Sequence, residues 1–219
     1  MLTKQRTIAK EVSISGIGLH TGNKSNMTFM PAPANYGIRF KRTDLTDSPE
    51  ILADIDHVVD ISRGTTIALG SAEVKTVEHV LAAIMGCEID NIIVALDTNE
   101  PPVIDGSAKP FVDLLNQAGF AEQDEPKDYL VLENTIHYRS ENGETDIVAF
   151  PLDDFKVTVM IDYRNAALGS QYTSLFNLSE FSEQFAPART FCFLHEVEDL
   201  YNQGLIKGGK FENAVVIVD

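Results

Sequence analysis

The chain is 219 residues long, 44% hydrophobic and 23% charged, an ordinary composition for a folded protein of one large domain or two of about 100 residues each. A formal net charge of -16 excludes a general nucleic-acid or anionic-membrane surface, since both need clustered lysine and arginine, but leaves room for a local basic pocket. No apolar run approaches the roughly 18 residues of a membrane helix, residues 1–7 lack the apolar core of a signal peptide, and Cys87 and Cys192 match no metal or redox spacing, a pattern that points to a reducing cytoplasm.

In chain order, residues 7–14 alternate loosely and read as one strand. The turn Gly16-Ile17-Gly18-Leu19-His20-Thr21-Gly22 cuts it, its three glycines opening backbone conformations closed to other residues. His20 in that turn is either a surface histidine or a residue lining a site. Strands follow at residues 26–30 and 37–42, split by Pro31-Ala32-Pro33-Ala34-Asn35. Residues 65–69 form a short strand feeding a buried helix. Thr76 is its candidate N-cap, Val77, Val80, Leu81 and Ile84 share one apolar face, and Gly86 is its stop. Glu78 and His79 stand side by side in its first turn. An acid beside an imidazole suits a general base next to a metal ligand. The same pair also serves as a plain helix end, with Glu78 complementing the positive end of the dipole.

Residues 91–97 are a dense apolar strand of the buried kind. Asp105-Gly106 marks a turn in which Asp105 reads as a turn aspartate. Ser107 caps a second helix with Phe111, Leu114, Leu115 and Ala118 on its apolar face and Gly119 at its end. The polar, proline-containing residues 123–128 mark the domain boundary, dividing 1–126 from 127–219. Beyond it come strands at 129–132, 135–138, 146–150 and 156–162. A helix over 194–203 follows, with Leu194, Val197, Leu200 and Tyr201 on one face, and an apolar strand over 213–218 closes the chain. Each half runs from strands to a helix, an α+β order. A dense apolar strand that stops at Asp219 with nothing after it to cover it predicts a chain cut short, its second domain incomplete.

Several stretches together resemble the zinc-dependent UDP-3-O-acyl-N-acetylglucosamine deacetylases of lipid A synthesis. They are the Gly16–Gly22 turn, Pro31-Ala32-Pro33-Ala34-Asn35, Arg42-Thr43-Asp44, Thr76-Val77-Glu78-His79, residues 86–91, Asp105-Gly106-Ser107-Ala108, Ala188-Arg189-Thr190-Phe191 and Gly208-Gly209. They recur in the family's order along essentially the whole chain. The resemblance implies two α+β domains, each with helices packed on a sheet, and one zinc ion (Zn2+) between them. It implies hydrolysis of the N-acetyl group of UDP-3-O-(hydroxyacyl)-N-acetylglucosamine in the cytoplasm of a Gram-negative bacterium. On the same resemblance His79 is a zinc ligand, Glu78 is the general base and Thr190 is the oxyanion donor. Phe191, Phe193, Val197, Ile206, Gly209 and Ala214 wall the acyl-chain passage.

The family's other two zinc ligands belong to a His-Lys-x-x-x-Asp motif that falls after Asp219, so the resemblance implies a truncated form, inactive alone. In some bacteria the family's enzyme is fused to a 3-hydroxyacyl-carrier-protein dehydratase. One His-x-x-x-Asp spacing does occur, His195 to Asp199, away from the family's ligand position. The competing reading is a non-catalytic module that binds a nucleotide-sugar or an acyl chain. An unrelated metalloprotease fails on spacing: His-Glu-x-x-His is absent, and the inverted motif would need a histidine where Lys75 stands.

Overall fold

The computed structural model describes residues 3–166 and 168–218. Met1, Leu2 and Asp219, which enter the reading of the two chain ends, lie outside the described residues. The first half runs through β1 (Lys4–Ile8), β2 (Val12–Ile17), β3 (Lys24–Pro31), β4 (Ile38–Arg42), β5 (Glu50–Leu52), β6 (Val58–Asp60), β7 (Thr66–Leu69) and β8 (Ala72–Val74). Then come α1 (Glu78–Gly86), β9 (Ile92–Leu96), α2 (Lys109–Ala118) and β10 (Phe120–Pro126). The second half adds β11 (Ile136–Arg139), β12 (Asp146–Ala149), β13 (Val157–Asp162), β14 (Ser170–Leu175), β15 (Phe191–Phe193), α3 (Leu194–Asn202) and β16 (Val215–Ile217). Helices and separate sheets in this order make the expected α+β fold.

The largest sheet has the order β2-β3-β9-β4-β5. Its middle strand β9 pairs antiparallel with β3 and parallel with β4. Four of its five residues are buried, which is why its sequence is a continuous apolar run without alternation. The register aligns Val12, Phe29, Val94, Phe40 and Ile51 in one row across the five strands. Residues directly opposite one another share a face, so this row is a continuous apolar bar. Onto it pack Val80, Ala83 and Ile84 of α1 and Phe111, Val112, Leu115 and Ala118 of α2. Phe111 meets Phe29 edge-on, with ring centroids 6.5 Å apart, a geometry the ring quadrupoles favour.

Two of the sequence expectations, the strands at 7–14 and 129–132, are corrected here. Residues 7–14 are not one strand: the chain breaks between Ile8 and Val12, and β1 leaves the large sheet to pair with β10. The polar stretch at 123–128 is accordingly strand as far as Pro126. It is an edge strand whose outward positions carry charge, including an exposed Lys4–Asp124 pair at 3.0 Å, and edge strands tolerate both charge and a terminal proline. Residues 129–132 form no strand, and polar β14, which alternation does not reveal, pairs with all six residues of β13.

Beneath the β1–β10 ladder sits a buried amide knot. The Asn91 side-chain oxygen accepts from the Tyr36 and Gly37 N–H groups, both at 2.8 Å, and its amide nitrogen donates to Gln5 and Gln123. All four hydrogen-bonding capacities are thereby used, as burial demands. In the second half β11–β12 and β13–β14 are two antiparallel pairs with mostly exposed faces, while β15 and β16 pair in parallel.

Truncating the fully buried Phe29 removes the β3 member of the apolar bar and its edge contact with Phe111. Phe29→Ala is expected to lower unfolding stability by about 3–5 kcal/mol in a urea titration; a loss under about 1 kcal/mol would mean that this row is not the core.

Candidate hydrolytic site at the head of the first helix

The site begins with a backbone residue that is out of the ordinary. Thr76 has φ 56°, in the left-handed region where a β-branched residue is strained. Thr76 is not the N-cap expected from the sequence. Helix α1 starts at Glu78 after Val77, which makes no side-chain cap bond. The Thr76 hydroxyl instead donates to Glu100 Oε1 at 2.9 Å. The flanking amides are also held, Lys75 N–H by the Asn99 carbonyl at 2.8 Å and Val77 N–H by the Thr65 carbonyl at 3.2 Å.

Thr65 then closes a loop of contacts, because its own N–H donates to Glu78 Oε2 at 2.9 Å. Glu78 is thus turned toward residues 62–65. Gly64 passes so close that an added Cβ would lie 3.4 Å from Glu78 Oε1. The His79 Nε2 lies 4.0 Å from Glu78 Oε1, and the side chains are 25% and 39% exposed, so both reach solvent. The pair is therefore half-exposed at the mouth of a buried helix and not fully buried with it. A catalytic zinc normally takes three protein ligands. Among the described residues no group of three or more His, Cys, Asp or Glu could hold a metal, so His79 stands here as a single candidate donor. His195 and Asp199 form no such group either, and the His195 ring stacks on Phe193 at 5.4 Å.

Beside Thr76 lies a cavity of about 330 Å3, lined by His20, Thr21, Asp60, Lys75, Thr76 and Lys207 among others. His20 is thus not a plain surface histidine. Both of its ring nitrogens are buried without a hydrogen-bond partner among the described residues. Ser62 N–H donates to Asp60 and holds its carboxyl below the usual carboxylate range, with the Lys75 charge adding to the effect. His79 borders a second, smaller hollow with Val80, Pro101, Pro102 and Phe111, and Thr76 lines both.

The other expected site residues lie on the second half. Thr190 is fixed by backbone pairing: its N–H donates to the Gly106 carbonyl at 2.8 Å and its carbonyl accepts from Val215 N–H at 2.9 Å. Gly106 has φ 84°, and a Cβ there would fall 1.9 Å from the Asn213 carbonyl oxygen, so only glycine fits this seam. Asp105 is a turn aspartate, accepting from the Ser107 N–H and hydroxyl. Phe191 and Phe193 stand on β15 with rings edge-on at 5.9 Å, and Val197 is half-buried on α3. Ile206, Gly209 and Ala214 follow on the segment leading to β16. None of these six borders the larger cavity, whose wall from this half is Gly204, Leu205 and Lys207.

Two residues that motif reading did not single out hold the site together. Glu100 is fully buried under the Gly16–Gly22 turn; a lone acid before Pro101-Pro102 gives no local signal of this. Arg63 ties residues 62–65 to α3 through Glu196 at 2.7 Å, and Glu196 also accepts the Phe193 N–H at the helix start. An acid three residues into a helix was the available clue.

The sequence profile of the family described as LpxC, UDP-3-O-acyl N-acetylglycosamine deacetylase, matches residues 5–219. The chain is 57% identical over 220 residues to a protein of Chlorobaculum tepidum named bifunctional enzyme LpxC/FabZ, a match covering 100% of this chain and 47% of the relative. It is 39% identical to a like-named protein of Porphyromonas gingivalis, again over 47% of that relative. It is 39% identical to a UDP-3-O-acyl-N-acetylglucosamine deacetylase of Teredinibacter turnerae, covering 99% of this chain and 72% of the relative. The chain therefore spans about half the length of the bifunctional relatives it matches.

The hydrogen bond from Arg63 holds the Glu196 carboxyl below its ordinary range. A carboxyl depressed on folding stabilises the fold above its unfolded value, near pH ~4.3 for glutamate, and that stabilisation is lost as pH falls through the folded value. The stability difference between wild type and Glu196→Gln in urea is expected to be full at pH 7 and to shrink toward pH 3. A difference independent of pH would contradict this role for the pair.

Proposed function

From the premise that this chain belongs to the UDP-3-O-acyl N-acetylglycosamine deacetylase family, we propose that the whole protein hydrolyses the N-acetyl group of a UDP-3-O-acyl-N-acetylglucosamine in lipid A synthesis. The observation that carries the reading is the Glu78–His79 pair, presented half-exposed at the head of α1, with Glu78 oriented by the Thr65 N–H. In this role Glu78 takes the proton of the attacking water and returns it to the amine that leaves as acetate departs, a general base turned general acid. The held carboxylate suits that task because its position is set before substrate arrives. Thr190 donates a hydrogen bond to the oxyanion. Phe191, Phe193, Val197, Ile206, Gly209 and Ala214 form the acyl-chain wall.

Zinc is the cofactor of this reading, with His79 as one donor. When bound, the ion lowers the pKa of water and polarises the amide oxygen. The cytoplasm is the compartment of this reading; both cysteines are free, and burial pushes the Cys87 thiol up to about 11. Among the described residues no helix is long and apolar enough to cross a membrane. The relatives named bifunctional enzyme LpxC/FabZ support a second enzyme fused in the same chain, which on the resemblance to the deacetylases is a 3-hydroxyacyl-carrier-protein dehydratase.

Glu78→Gln in the whole protein is expected to reduce deacetylation by roughly 10²–10⁴-fold, with zinc content unchanged. His79→Ala is expected to weaken zinc in an equilibrium titration. Turnover at the wild-type rate in Glu78→Gln would overturn the assignment of the base.

A further inference from the structure

We propose that Glu100 is the positioning residue of this site, its buried carboxylate fixing the Thr76 backbone and, through Thr65, the place of the Glu78 carboxylate. The kinetic part of this inference rests on the deacetylase reading. Glu100 is 0% exposed, and its two oxygens take four hydrogen bonds from two distant segments. Oε1 accepts from His20 N–H and the Thr76 hydroxyl, both at 2.9 Å, and Oε2 accepts from Thr21 N–H at 2.8 Å and the Thr21 hydroxyl at 2.7 Å. Among the described residues no lysine or arginine pairs with it. Neutral, directional donors alone support it, so its geometry and theirs are fixed together.

The acid is itself anchored. Ser25 donates to the Glu100 carbonyl at 2.7 Å, and Pro101 and Pro102 stiffen the chain that follows. Against it the glycine turn comes within a distance no side chain permits, since a Cβ on Gly18 would fall 2.4 Å from Glu100 Oε2. On the other side the hydroxyl bond holds Thr76 at its left-handed φ. The next amide, Val77, bonds to the Thr65 carbonyl, and Thr65 N–H bonds to Glu78. The path from Glu100 to the base is thus Thr76, Val77, Thr65, Glu78, every link a hydrogen bond or a peptide.

The isosteric change Glu100→Gln is informative because a glutamine offers one acceptor where the acid has two. Whichever way the amide is turned, its NH2 faces either the His20 N–H or the Thr21 N–H. A hydroxyl can rotate to accept, but a backbone N–H cannot. One buried amide therefore loses its partner, and the turn and Thr76 shift to relieve it.

The test uses the whole protein with Glu100→Gln, Thr76→Val, Thr76→Ser and their wild type. Glu100→Gln and Thr76→Val are each expected to lower kcat about 10–100-fold with KM nearly unchanged, the scale of an ångström-sized misplacement. Thr76→Ser, which keeps the hydroxyl, recovers most of what Thr76→Val loses. The double variant Glu100→Gln/Thr76→Val is no worse than either single one, since both cut the same path. Wild-type kcat in a folded Glu100→Gln, beside inactive Glu78→Gln, overturns the proposal while leaving the deacetylase reading intact. If Glu100→Gln fails to fold, Thr76→Val decides, and full activity there overturns the proposal. If the wild type itself has no deacetylase activity, that reading fails and amide exchange decides instead. Exchange at Thr65, which does not touch Glu100, speeds up in Glu100→Gln or Thr76→Val if the path exists, and unchanged exchange overturns it.

Discussion

The parallel pairing of β4 with β9 is the constraint on which the rest of the first half depends. Two parallel neighbours cannot be joined by a tight turn, so the chain, after adding β5 at the edge beside β4, leaves the sheet past Leu52 and returns at Ile92. The head of the candidate site is carried on that excursion: the small β6-β7-β8 sheet, the Thr65 amide, Thr76 and the start of α1. The same excursion brings α1 back over the buried row that β9 shares with β3 and β4, so the apolar burial that fixes the sheet also fixes where Glu78 and His79 stand. Immediately after β9 the chain delivers Glu100 beneath the glycine turn. Site and core are thus consequences of one strand order.

Much of this was legible because apolar burial writes itself into spacing. Strand β9, the faces of α1 and α2 and the glycine that ends α2 follow from periodicity and from the backbone freedom that Gly119 needs, with φ 68°. The Glu78–His79 pair was legible as a pair. Thr76 was misread for a physical reason: a threonine before a helix usually accepts from the first-turn amides with an extended backbone, whereas this one is left-handed and donates to Glu100. Nothing within ten residues of Glu100 reveals its partners, which lie 24 to 80 positions away. Edge strand β10 was hidden because its partner β1 lies at the other end of the first half, and β14 because its first four residues are exposed and carry no apolar alternation.

Two buried polar knots treat the same problem in different ways. The Asn91 amide links β1, β10 and the start of β4 with every donor and acceptor matched among neutral groups. Glu100 uses a carboxylate, an acceptor only, so it can recruit nothing but donors, and two backbone amides and two threonine hydroxyls supply them. The first knot fastens a sheet edge to the core. The second brings a flexible glycine turn and a strained threonine to one point, which is why it sits beside the site and not at the periphery.

The contact between Gly208 and Gly18 has a consequence of a different kind. A Cβ on Gly208 would fall 2.1 Å from the Gly18 carbonyl oxygen, and Gly208 N–H donates to the Leu19 carbonyl at 3.0 Å. Here the two halves meet main chain to main chain, with no side chains between them to absorb a mismatch. Divergence elsewhere at a seam can be repaired by repacking, but this one allows no such drift. A chimera that joins the first half of one homologue to the second half of another would therefore have to inherit both glycine segments in matched backbone geometry, or lose the wall of the cavity.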